Sequence, residues 1–276
     1  MDTSRTVPVL VGEDIETPGN ADCLRAAAAL FDWHCELIER SETSCDALAQ
    51  SGMPIIALEN TSGAEDLFRF RPPDGAFALV VGNERNGVSR RLLRVADRVV
   101  QIPVGPGQLN CLNVAAAAAV AIHRIARPGR TYAGSGRPSI LFAGAADPIE
   151  LGSAVRSAAC FGWTEVSISD PHAVWFATDR VTRSLGRGAA RRARNGIRVR
   201  HGADLAAFAD ICVVAEHGEP LSRADLRCDL VVIGEHDVPP GARRIRLEVA
   251  RPPPFRLAAS IVLAELARRL RYGGVR

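Results

Sequence analysis

The sequence predicts an α/β protein of two similar units in tandem, each a mostly parallel sheet flanked by helices. Three observations predict it. Short apolar runs alternate with alanine-rich segments of helical length, the pattern of buried parallel strands joined by helical crossovers. The chain also resembles itself: placing Pro18 on Pro148 brings Phe31-Asp32-Trp33 onto Phe161-Gly162-Trp163 without a gap. Finally, residues 128–138 are rich in glycine with proline at both ends, which reads as a linker. The units are therefore residues 1–127 and 139–276.

Each unit opens on an apolar strand, Val7–Val11 and Ser139–Phe142, followed by an alanine-rich helix. A later strand, Phe77–Gly82, has its counterpart in Leu230–Gly234. Each unit closes on a helix, Leu112–Arg127 and Phe255–Arg271. Trp33 and Trp163 fall at matching positions and read as core residues.

The 276 residues are 47% hydrophobic and 24% charged, enough apolar material for a real core and unlike a disordered chain. The longest apolar run, Val114–Ile122, falls short of the roughly 20 residues that cross a bilayer. The first residues lack the basic-then-apolar pattern of a signal peptide, so a cytoplasmic protein without a membrane partner is expected. All 34 basic residues are arginine, but a net charge of +3 is too small to name a nucleic-acid partner. The seven cysteines never form a CxxC and the six histidines show no ligand spacing, so no metal is expected.

The sharpest segment runs from Leu79 to Val120. An apolar strand enters Gly82-Asn83-Glu84-Arg85-Asn86-Gly87-Val88-Ser89, which sets an approachable backbone at a strand's carboxyl end. Ile102-Pro103-Val104 and Gly105-Pro106-Gly107 make a second, stiff loop. Asn110-Cys111-Leu112-Asn113 then opens a helix whose first N–H groups are free for polar ligands. Leu58-Glu59-Asn60 ends another strand, which reads equally as a pocket wall or a plain turn. Loops at one sheet edge suit a flat, partly apolar ligand such as adenosine.

These motifs closely resemble those of the SpoU–TrmH branch of the SPOUT methyltransferases, roughly Gly-x-Glu-x-x-Gly-[Leu/Val]-Ser, then Ile-Pro, then Ser-Leu-Asn-Val. The resemblance implies a trefoil-knotted α/β fold that binds S-adenosylmethionine and methylates RNA at ribose 2′-hydroxyls. It implies cofactor contacts at Leu58, Gly82, Asn83, Ile102, Val104, Cys111, Leu112 and Asn113, with Glu84 and Asn113 as polar site residues. One departure is Cys111, which replaces the family's serine; a thiol donates poorly.

The family's first motif pairs an asparagine with an arginine six residues later. The first unit has Asn20 but Ala26 at the arginine position, with Arg25 one helical step away. The second unit has Arg156 but Glu150 at the asparagine position. Its later motifs have decayed to Gly234-Glu235-His236 and Phe255-Arg256-Leu257-Ala258, with His236 at the glutamate position and Ala258 at the asparagine position. Since homodimeric relatives complete each pocket with the partner's arginine, the resemblance implies an intramolecular pseudo-dimer, a monomer with one composite site. Asn20, Glu84, Asn113 and Arg156 are its expected catalytic set. The other reading makes Arg156 an interface salt-bridge residue.

Between Arg180 and Arg200 stand eight arginines and no acid, whereas the matching stretch of the first unit contains Glu59, Glu65 and Asp66. Guanidinium groups suit phosphates, so Arg183, Arg187, Arg191, Arg192 and Arg194 are the expected RNA contacts. Two other functions stay open: methylation of a small molecule, and RNA binding without catalysis.

Overall fold

The computed structural model describes residues 7–104, 111–128, 136–190, 196–234 and 237–272. Gly105 to Asn110, Arg191, Arg192, Arg194, Glu235, His236 and linker residues 129–135 lie outside the described residues. The chain divides into two compact units. The first comprises Met1–Pro103, Asn113–Ala126 and Val249–Pro253; the second comprises Val104–Leu112, Arg127–Glu248 and Pro254–Arg276. A simple cut in the linker would have left Val104–Leu112 with the first unit and Val249–Pro253 with the second.

In the first unit the order is β1 (Val9–Glu13), α1 (Pro18–Ala29), β2 (His34–Ile38), α2 (Glu42–Gln50), β3 (Ile55–Leu58) and β4 (Glu65–Asp66). There follow β5 (Ala78–Val81), α3 (Arg90–Val95), β6 (Arg98–Gln101) and α4 (Val114–Ala126). The strands form one parallel sheet in the order β2-β1-β5-β3-β6-β4. The central strands β3 and β5 are buried throughout, as expected of apolar strands covered on both faces. One face carries α1 packed on α4; the other is sealed by Cys45 and Leu48 of α2 and Leu92 of α3 over Val11, Ala57 and Val80.

Two boundaries differ from the sequence expectation. The first strand begins at Val9 and not at Val7, because Pro8 has no N–H to give the ladder. Helix α4 begins at Val114 and not at Leu112, because Asn113 caps it: its Oδ1 accepts from the N–H of Ala115 at 3.0 Å and Ala116 at 3.4 Å.

The second unit contains β7 (Ser139–Ala143), α5 (Pro148–Cys160), β8 (Glu165–Ser169), α6 (Arg180–Ala190), β9 (Arg198–His201), β10 (Ile211–Pro220), β11 (Leu230–Gly234), β12 (Arg243–Arg246) and α7 (Phe255–Tyr272). Its parallel sheet runs β12-β10-β11-β7-β8-β9. Matching β1 to β7, β2 to β8, β3 to β10, β5 to β11 and β6 to β12 gives both sheets the same five-strand order. They differ at the edges, where the first adds β4 beside β6 and the second adds β9 beside β8. Trp33 and Trp163 are both buried, Trp33 edge-on to Phe77 and Trp163 donating its Nε1–H to Pro138 O.

Candidate active site

Parallel strands β5, β3 and β6 are neighbours, so the segments leaving Val81, Leu58 and Gln101 share one carboxyl edge of the first sheet. The segment after β5 folds back on itself: Asn83 and Gly87 exchange backbone hydrogen bonds of 3.2 and 2.9 Å. This closure explains Gly82, where a Cβ would sit 2.0 Å from the carbonyl carbon of Gly87. Gly87 itself has φ +63°, and a Cβ there would meet the Glu59 carboxylate at 2.2 Å.

Three side chains from elsewhere hold this loop. Glu59 accepts from the N–H of Val88 at 2.7 Å, and Glu13 from that of Ser89 at 2.7 Å. Arg40 donates to Gly87 O at 2.7 Å and lies 3.8 Å from Glu13. Carboxylate-to-amide bonds of this length are charge-assisted and stronger than neutral ones. The Asn83 side chain ties the loop inward, donating to Asp14 O and Glu16 while accepting from the N–H of Arg85 and Asn86. With its N–H and carbonyl already paired with Gly87, Asn83 serves to hold the loop.

Glu84 joins the loop to α1. It accepts from the N–H of Glu16 at 3.0 Å and Thr17 at 3.1 Å, and from Asn20 Nδ2 at 2.7 Å. Thr17 gives α1 no side-chain cap, so the Glu84 carboxylate serves the positive end of the helix instead. Burial pushes that carboxyl up, but the Asn20 amide and the backbone N–H groups outweigh it and hold Glu84 below the usual carboxylate range. Asn20 Oδ1 in turn accepts from Asn113 Nδ2 at 3.0 Å. Glu84, Asn20 and Asn113 thus form one hydrogen-bonded line from the β5 loop to the start of α4.

In the second unit, Arg156 on α5 is only 4% exposed. Its Nε donates to Cys111 O at 3.0 Å, and its Nη2 to Leu112 O and to the Cys111 Sγ, each at 3.1 Å. Burial pushes the Cys160 thiol up to about 12, so it stays protonated and donates to the same Cys111 carbonyl at 3.3 Å. Arg271 holds Val104 O at 3.0 Å. These bonds are why Val104–Leu112 belongs to the second unit. Arg156 makes no ion pair with any acid among the described residues, and its Nη1 makes no hydrogen bond among them.

Glu150 is bound to Arg256, whose backbone N donates at 2.8 Å and whose Nε also donates. The position matching Asn20 therefore carries an ion pair in place of an amide bridge. Ala258 lies within the first turns of α7, where it caps nothing. Of the expected RNA contacts, Arg187 is exposed, whereas Arg183 turns its guanidinium onto the carbonyls of Ala177 and Thr178. Arg198 and Arg200 share the Glu165 carboxylate at 3.6 and 2.7 Å.

Residues 7–123, which hold the Glu84–Asn20–Asn113 line, match the SpoU rRNA Methylase family model. That span of the chain is similar to a SpoU-type methylase unit. A relative from Bacillus subtilis (strain 168), described as 23S rRNA (guanosine(2553)-2′-O)-methyltransferase RlmP, is 32% identical over 120 residues. The match covers 42% of this chain and 46% of RlmP, so the chain spans less than half the length of that relative. Among solved structures, the SpoU methyltransferase AviRb from Streptomyces viridochromogenes in complex with AdoMet is 19% identical. It covers 46% of this chain and 59% of its own, with a TM-score of 0.38. An AdoMet-bound rRNA methyltransferase from Sinorhizobium meliloti is 17% identical, covers 46% and 58%, and has a TM-score of 0.40.

Within the matched span, the sequence-expected residues Asn20, Glu84 and Asn113 are brought together, and Leu58, Gly82 and Ile102 sit at the three adjacent strand ends. Glu13 and Arg40 were missed: the loop they brace is distant in sequence, and neither belongs to a motif. Glu13 is fully buried, and its Oε1 lacks a hydrogen-bond partner among the described residues. A charged residue ending an otherwise apolar strand, Val9-Leu10-Val11-Gly12-Glu13, was the available signal. Among the described residues, no three acids, cysteines or histidines group as a metal site, and no helix is long and apolar enough to cross a membrane.

Proposed function

We propose that the protein transfers a methyl group from S-adenosylmethionine to a ribose 2′-hydroxyl of RNA in the cytoplasm. The observation that carries this is the Glu84–Asn20–Asn113 line inside the span that matches the family. The site fits the cofactor's flat adenosine: adjacent ends of β3, β5 and β6 offer Leu58, the side-chain-free Gly82 and the half-buried Ile102. Val104, Cys111 and Leu112, also assigned to the cofactor, lie on the loop to which Arg156 is bonded. When bound, S-adenosylmethionine supplies a methyl group already activated by its sulfonium.

The chain's own groups must then align the hydroxyl and let its proton leave. Glu84 is not the base in this reading. Its carboxylate is engaged by three donors and held ionised, so it orients Asn20 and, through it, Asn113. Arg156 fixes the carbonyls of the two residues before Asn113 and keeps Nη1 for an anionic oxygen of the substrate. A guanidinium offers N–H donors and no acceptor, so it orients that oxygen while the hydroxyl proton passes to water.

The test offers labelled methyl donor to total RNA and to a metabolite extract, with nucleosides resolved by mass spectrometry. Label in 2′-O-methylnucleosides is the expected result; label only in small molecules overturns the reading. Arg156→Ala is expected to lower turnover about 100-fold, the scale for a misplaced reacting group. Arg156→Lys should not rescue it, because an ammonium cannot hold two carbonyls in the planar geometry of a guanidinium.

A further inference from the structure

We propose that Phe176 and His201 form a base-stacking face on the second unit that takes an unpaired nucleotide of the RNA. This rests on the RNA reading above. The two rings are 4.9 Å apart at their centroids and inclined by 52°. Both are exposed, Phe176 by 38%.

The exposure of Phe176 is built in. The Asp170 carboxylate accepts from the N–H groups of Val174, Trp175 and Phe176 at 2.8, 2.9 and 2.8 Å. Val174, Trp175 and Ala177 are buried around it, so the loop is anchored by its neighbours while the phenyl ring points outward. Asp170 directly follows β8 and His201 ends β9, so the pair stands at the carboxyl edge of the second sheet, where parallel sheets bind ligands. His201 also lines a cavity of about 440 Å³ with Ser167, Arg200 and Asp204.

The surrounding charge identifies the ligand class. Arg183 reaches the carbonyl of Ala177, the residue after Phe176. Arg180 is exposed at the start of α6, and Arg200, paired with Glu165, lines the same cavity as His201. Aromatic faces flanked by arginines bind single strands: any base offers a π-face, and guanidinium groups take the phosphates. A duplex keeps its bases stacked on one another and presents no such face.

The full chain is to be titrated against a fluorescent oligoadenylate and against a hairpin duplex of the same length. Phe176→Ala is expected to weaken oligoadenylate binding ~5- to 150-fold, the range for one lost base stack. Duplex affinity and the salt dependence of binding should not change, since no phosphate contact is removed. Phe176→Trp should retain single-strand affinity, and His201→Ala should weaken it in the same direction as Phe176→Ala. Unaltered oligoadenylate binding by Phe176→Ala, or an equal loss on the duplex, overturns the stacking face while leaving the RNA reading intact. If the unaltered protein binds neither probe, the RNA reading fails, and this inference with it.

Discussion

Replacing Glu84 by glutamine would leave the N–H groups of Glu16 and Thr17 and the Asn20 amide competing for a single acceptor oxygen. Expected is a loss of about 1–2 kcal/mol at neutral pH, the scale of a lost helix-terminal acceptor. Because folding depresses the Glu84 pKa, its stabilisation is present above the ordinary carboxylate range and is lost as pH falls through the lowered folded value. Urea unfolding of wild type and Glu84→Gln should therefore differ at pH 7 and converge on acidification below about pH 4. A gap that widens with acid would contradict the ionised, saturated carboxylate. Gly82→Ala acts on the same loop by a steric route. With Gly87 backbone 2.0 Å from the new Cβ, the loop must move, and both melting temperature and cofactor affinity should fall. These motif residues were legible in the sequence because the resemblance fixed their identity and spacing. Glu13 and Arg40, which brace the same loop, were not, because only the folded sheet sets the ends of β1 and β2 beside Gly87–Ser89.

Helix α5 carries its own N-terminal cap, Asp147, which accepts from the N–H of Ile149 and Glu150, whereas α1 relies on Glu84 from a distant loop. The start of the first unit's helix thus depends on the motif loop, and that of the second does not. Helix α6 is docked on α5 through glycines. A Cβ on Gly152 would lie 2.1 Å from Gly186 O; one on Gly186 would lie 3.2 Å from Pro148 O; one on Gly188 would meet nothing within 4 Å. A graded series follows, measured by thermal unfolding. Gly188→Ala should stabilise by about 0.5–1 kcal/mol, because alanine loses less entropy in a helix. Gly186→Ala should stay near neutral, and Gly152→Ala should destabilise by about 1–3 kcal/mol as the helices are forced apart. If all three substitutions had equal effects, the close crossing would be wrong. Helix α6 was visible in the sequence only as a run of arginines. Its docking was not, since a glycine needed for close approach looks the same as one in a loop.

Across the whole molecule, the alternation of short apolar strands with helices announced two parallel α/β units, and the two sheets share a five-strand order. The reassignment of Val104–Leu112 was beyond reach, because it depends on main-chain carbonyls accepting from Arg156, Cys160 and Arg271, and carbonyl partners leave no trace in residue identity. The two units differ at the positions proposed above to organise the cofactor site. Where the first joins Asn20 to Asn113 and Glu84, the second joins Glu150 to Arg256, and Ala258 offers no polar group at the matching place in α7. An ion pair leaves the carboxylate committed to a guanidinium, so it cannot align a neutral amide at the start of the last helix. One S-adenosylmethionine per chain is therefore expected in titration calorimetry. Asn113→Ala should weaken it by removing both the cap of α4 and the bond to Asn20, whereas Glu150→Gln should leave stoichiometry and affinity unchanged. Two equivalent sites per chain, or loss of binding in Glu150→Gln with Asn113→Ala unaffected, would assign the cofactor to the wrong unit.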